Sequence, residues 1–183
     1  VNPKGNAHET SKGKYVVELS DLQNRAQSQN WTRKWFFVYR NITNATNERT
    51  VIATIIPLFA PVFSLRVLFS NGKPSDLFLL LSNFNSIVFD YIARQKIGGA
   101  NLSDYIMEQL PVLKPDRYKQ LDINFIASRV LELVYTAWDL KPFAEDMGYD
   151  GPPFKWDEDR RALLRAELDA YYAKLYGLTR DEL

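Results

Sequence analysis

WTRKWFFVYR, residues 31–40, is the stretch that decides the fold. Aromatic and β-branched residues crowd it, which is the chemistry of a strand on a pleated, half-buried surface. Its five aromatics, Trp31, Trp35, Phe36, Phe37 and Tyr39, read as core rather than as a platform for stacking bases. Upstream, residues 1–14 read as a flexible arm with Gly5, Gly13 and scattered lysines, residues 15–19 as a short strand, and the polar residues 21–30 as a helical turn or a loop. Downstream, residues 41–50 (NITNATNERT) are loop-like, because Asn and Thr side chains compete for backbone hydrogen bonds. A strand over 50–56 runs into Pro57, and another over 62–69 stops at the turn signal Asn71-Gly72.

Helices follow. Pro74-Ser75-Asp76 supplies an N-terminal start. Leu77, Leu80, Leu81, Phe84, Val88, Tyr91, Ile92 and Gln95 then recur at 3.6 spacing, predicting one long helix closed by a left-handed stop at Gly98-Gly99. Residues 103–110 read as a helical turn or a strand before Pro111. A second apolar stripe, Ile123, Ile126, Val130, Leu133, Val134, Ala137 and Trp138, predicts another helix, and residues 142–153 a Gly/Pro-containing loop. Asp157 caps a last helix that carries Leu164, Leu168, Tyr171 and Leu175 inward and ends at Gly177. Glu158–Arg161 and Arg165–Asp169 have the spacing of ion pairs on its wet side. The class is α+β: a small sheet from the N-terminal half packed with helices, then a helical C-terminal part. The expected organisation is an arm over 1–14, an α+β unit over 15–120 and a helical extension over 121–183.

Composition narrows function mainly by exclusion. The 183 residues are 46% hydrophobic and 14% aromatic, which argues against disorder. Cysteine is absent, so disulfides, thiolate zinc sites and a cysteine nucleophile are ruled out, and a cytoplasmic protein is expected. His8, the single histidine, lies in the arm, far from the makings of a catalytic triad. Gly151-Pro152-Pro153-Phe154 lacks the polar first residue with which an amino-methyltransferase motif holds its target amine. The apolar stretches 51–69 and 77–92 contain prolines or charges and read as core rather than membrane spans. Residues 1–120 carry 15 Lys and Arg against 9 Asp and Glu, an excess of six positive charges; residues 121–183 carry 8 against 13, an excess of five negative. A basic front suits a polyanionic partner. The start at Val1 and the stop just after a helix are what a piece of a longer protein would show.

Two segments, RNITNATNERT at 40–50 running into VIATIIP, and NFNSIVFDYIARQKIGGANLSDYIMEQLPV at 83–112, resemble the region after the catalytic core in large adenine-specific (N6) DNA methyltransferases of restriction–modification and phage-defence systems. The tail DEDRRALLRAELDAYYAKLYGLTRDEL is similar to the helical end of such proteins. The resemblance implies a non-catalytic target-recognition piece whose partners are duplex DNA and an upstream methyltransferase domain. It implies that S-adenosylmethionine serves the parent protein, that this piece holds no cofactor, and that the parent is an enzyme of a family that includes fusions to a restriction nuclease. Arg and Lys contact phosphates, and Arg and Asn also read base edges. On that basis the expected DNA contacts are Arg33, Lys34, Arg40, Asn41, Asn44, Asn47, Arg49 and Thr50, joined by Arg94, Lys96, Gly98, Gly99 and Asn101. Residues 40–50 and the 94–101 turn are expected on one face. The rival reading is a scaffold packed against the methyltransferase core with little DNA contact, which an exposed apolar patch would favour.

Overall fold

Residues 17–182 are described in the computed structural model. The chain is α+β. Helix α1 (Leu19–Ser28) leads into three antiparallel strands, β1 (Trp35–Arg40), β2 (Ala53–Pro57) and β3 (Leu65–Leu68), with β1 central in the order β2-β1-β3. Helices α2 (Pro74–Phe84), α3 (Ile87–Lys96), α4 (Asp104–Met107), α5 (Gln120–Val134), α6 (Lys141–Asp146) and α7 (Glu158–Leu175) follow. The expected arm, and residues 15–16 of the expected first strand, lie outside the described residues. Leu19 opens a helix rather than closing a strand, and residues 21–28 of the polar stretch continue it, the helical one of the two readings.

Burial follows the aromatic reading of β1. Trp35, Phe36, Phe37, Val38 and Tyr39 are all buried, because both faces of the central strand are covered. Phe37 meets Phe84 of α2 and Trp35 meets Phe143 of α6 on one face. On the other, Phe36 packs with Trp31 and Phe69. The cluster of buried residues runs from Ala26 to Tyr172 without a break at residue 120, with α2 on α5 and α3 on α7. The helical tail is therefore part of the same core.

The expected long helix over 77–95 is two helices, bent by 64° at Asn85-Ser86. Short polar side chains win at this point. Ser86 Oγ donates to the Asn83 carbonyl and caps α3 by accepting from the Phe89 amide. The Asn85 amide turns to strand β2, accepting from Ala53 N–H (3.1 Å) and donating to Ala53 C=O (3.0 Å), so it occupies part of an otherwise open sheet edge. The bend takes the stripe out of register, and Tyr91 ends up 65% exposed. Gly98-Gly99 is not a left-handed stop either: among the described glycines only Gly148 and Gly177 have positive φ, and α3 ends into an extended Ile97. Part of the expected 142–153 loop is α6, which Pro142 starts at its first turn. Asp157 caps α7 through the Arg160 amide (2.8 Å), and Gly177 follows it at φ +83°. No single helix among the described residues is long and apolar enough to cross a membrane.

Candidate nucleic-acid interface

The loop between β1 and β2 and the turn after α3 are joined. Ile42 and Asn101 form an antiparallel bridge, Thr43 N–H donates to Ala100 C=O (3.0 Å), and Leu102 N–H donates to Asn41 C=O (2.7 Å). The two expected segments therefore share one edge of the fold. What holds the loop rigid is a residue that the sequence reading passed over. Asp90, buried in α3, accepts from the amides of Thr50 (2.6 Å) and Val51 (2.8 Å) on one oxygen and from Arg94 Nε (2.7 Å) on the other. Arg94 in turn donates to the carbonyls of Ala45, Asn47 and Glu48. A carboxylate and a guanidinium one helical turn apart thus satisfy five loop backbone groups.

Several expected contacts consequently have structural work. Arg94 faces the loop backbone, not solvent. Arg49 reaches Asp169 of α7 (2.5 Å), whose second oxygen accepts from Ile87 N–H (2.7 Å) at the start of α3. Internal ion pairs of this kind leave Arg49 and Arg94 as braces rather than as free base readers, a correction to the expectation. Asn41 and Thr50 are buried, and Thr43 Oγ donates to Thr50 C=O (2.7 Å) across the loop neck. Asn47 donates to Thr43 Oγ (3.0 Å). Arg33 and Lys34 sit at the far end of β1 from Arg40, roughly 20 Å away along an extended strand, so they do not join the others. Arg33 lies 5.4 Å from the ring centres of Trp31 and Trp35 and donates to Gly72 C=O.

What remains outward is Arg40, Asn44, Lys96, Gly98, Gly99 and Asn101, all exposed. Asn44 makes a local turn, its carbonyl oxygen accepting from Thr46 N–H and Oγ. Lys96 is 3.5 Å from Gln109 Oε1. A Cβ placed on Gly98 or Gly99 would meet nothing within 4 Å, so neither the backbone angle nor packing requires glycine there.

Beside this edge lies a cleft of about 780 Å³, between β2 on one side and α5 and α7 on the other. Arg40, Arg49, Arg161 and Arg165 line it, with Glu48 and Asp169. The expected pairs Glu158–Arg161 and Arg165–Asp169 do not form: Arg49 holds Asp169, and Arg161 donates to Leu133 C=O (2.8 Å) while lying 3.7 Å over the Trp156 ring. Burial, and then the neighbouring Arg165, lower the pKa of Arg161. Antiparallel α5 and α7 are tied by Arg129–Glu167 (2.7 Å), Arg160–Glu132 (2.8 Å) and Tyr171–Asp122 (2.5 Å). Elsewhere, burial raises the Tyr118 hydroxyl to about 12 and Tyr172 well above its ordinary value, consistent with hydroxyls kept neutral inside the core. Among the described residues no group of three or more acidic, His or Cys side chains is placed to hold a metal ion. No family model, curated protein or solved structure matches the chain.

Proposed function

We propose that the chain is a non-catalytic DNA-contact module of an adenine-N6 DNA methyltransferase of a restriction–modification or phage-defence system. One observation carries the DNA contact: a polar loop, clamped from inside by Asp90 and Arg94, that exposes Asn44 and is bridged to the turn after α3, where Lys96 and Asn101 are exposed. Readout of base edges needs short polar side chains on a rigid support, and this edge has both. The parent's upstream domain would bind S-adenosylmethionine and flip the adenine; this module would set the register on duplex DNA. The family assignment rests on the sequence resemblance.

The test is selection of bound duplexes from a randomised pool, followed by titration of Lys96→Ala and Asn101→Ala. A loss of roughly 1–3 kcal/mol confined to one base pair marks direct readout, and uniform weakening marks phosphate contact. Absence of any duplex binding at low salt would overturn the reading. The scaffold alternative has its own support: Phe59, Val62 and Phe63 are exposed within five residues of the β2–β3 connection, Phe63 at 76%. Light scattering on the wild type and on Phe63→Ser distinguishes it, because a docking patch would drive self-association that the substitution removes.

A further inference from the structure

The cleft between β2 and α7 carries positive charge that the fold does not neutralise. Four arginines face two carboxylates, and Asp169 has both oxygens engaged, one by Arg49 and one by the Ile87 amide. Among the described residues no carboxylate lies within ion-pair distance of Arg40, Arg161 or Arg165. Arg161 is half-buried with its guanidinium fixed by Leu133 C=O and the Trp156 ring, so its orientation does not depend on a ligand. Of the acids lining the cleft, Glu48, exposed at the mouth, is left to oppose an incoming anion, and Glu158, outside the lining, attracts Arg161 without forming an ion pair. Guanidiniums one turn apart on one helix face repel each other modestly, and an anion shared between them relieves that repulsion.

We propose that this cleft seats phosphodiester groups of a nucleic-acid backbone, with Arg165 and Arg40 as outer phosphate ligands and Arg161 as the inner one. The assignment rests on the DNA-contact reading above and adds where the backbone runs. Planar guanidiniums suit phosphate oxygens, which accept two parallel N–H bonds. Arg40 lines the cleft and also closes β1 at the loop, so a backbone passing through the cleft would arrive beside the Asn44–Asn101 edge.

The test is fluorescence-anisotropy titration of the whole chain with a labelled duplex across a salt series, starting at about 50 mM. Arg165→Ala removes an exposed side chain without an ion pair, so the fold is retained. The slope of log K against log salt should become shallower by about 0.9 for this variant, and the Arg40→Ala/Arg165→Ala pair by about 1.8. Lys174→Ala, on the same helix but outside the cleft, should keep the wild-type slope. If Arg165→Ala and Arg40→Ala leave affinity and slope unchanged while Lys96→Ala weakens binding, the cleft assignment falls and the DNA reading stands. If Lys174→Ala lowers the slope as much as Arg165→Ala, the charge is diffuse and the assignment also falls. Polyglutamate binding as tightly as the duplex, with the same dependence on Arg165, overturns it in favour of an acidic protein surface. No duplex binding by the wild type overturns both readings.

Discussion

Replacing Asp90 with Ala should unfasten the β1–β2 loop and cost roughly 3–5 kcal/mol, the range for breaking a buried, hydrogen-bonded ion pair. The magnitude follows from what is left behind. Three hydrogen bonds to one buried carboxylate are lost, at 2.6, 2.8 and 2.7 Å. Each is worth about 1.5–3 kcal/mol alone, but they are not additive, since water enters the space vacated. Thr50 and Val51 are buried, so their amides lose their partner, and Arg94 keeps its charge against the loop carbonyls with no counter-ion. Asp90→Asn keeps an acceptor for the amides and should cost less, roughly 1–3 kcal/mol. Urea denaturation followed by circular dichroism measures both, and thermal melting should show a fall of about 6–20 °C for the alanine variant. Glu48→Ala, an exposed neighbour, is the control and should stay within about 0.5 kcal/mol. An Asp90→Ala loss below about 1 kcal/mol would refute the reasoning, because the loop would then be held by something other than this carboxylate.

Other consequences are as specific. Gly177→Ala forces a left-handed residue at the end of α7 and should cost about 1–2 kcal/mol, whereas Gly98→Ala and Gly99→Ala, with no positive φ and open space around them, should be neutral to about 1 kcal/mol stabilising; denaturation midpoints decide. A double-mutant cycle on Arg49→Ala and Asp169→Ala should give a coupling of roughly 0.5–3 kcal/mol, and a coupling near zero would mean the pair braces nothing. The Tyr171 hydroxyl lowers the pKa of Asp122, and Arg160 lowers that of Glu132. A depressed carboxylate contributes stability that is present above its unfolded value and lost as pH falls through its folded one, so stability should decline below about pH 4. Asp122→Asn/Glu132→Gln should flatten that decline; an unchanged pH profile would remove these groups from the account.

How far residues alone predicted this molecule depended on the reach of the interaction. The aromatic density of residues 31–40 was enough to mark the central strand, because five large rings cannot stay in water. Asp157 and Gly177 marked the ends of α7 by local capping chemistry. The break at Asn85-Ser86 was hidden because the apolar spacing continues through it, and the deciding bonds, Asn85 to Ala53, span 32 residues. Asp90 and Arg94 did carry a local signal, a charged i,i+4 pair inside an apolar run, which would have identified the brace had Arg94 not been assigned outward. Arg49–Asp169 joins residues 120 apart and leaves no trace in spacing. The same long-range pairing is why Arg165 is left without its expected carboxylate, and so why the cleft was not foreseen.

The most direct test of the central claim, that the braced edge and the adjoining cleft meet DNA, is a heteronuclear NMR titration of the labelled chain with a short duplex. The account predicts that amide shifts concentrate at residues 42–47, 96–101 and 161–165. Shifts confined to residues 59–63, or none at all at low salt, would contradict it.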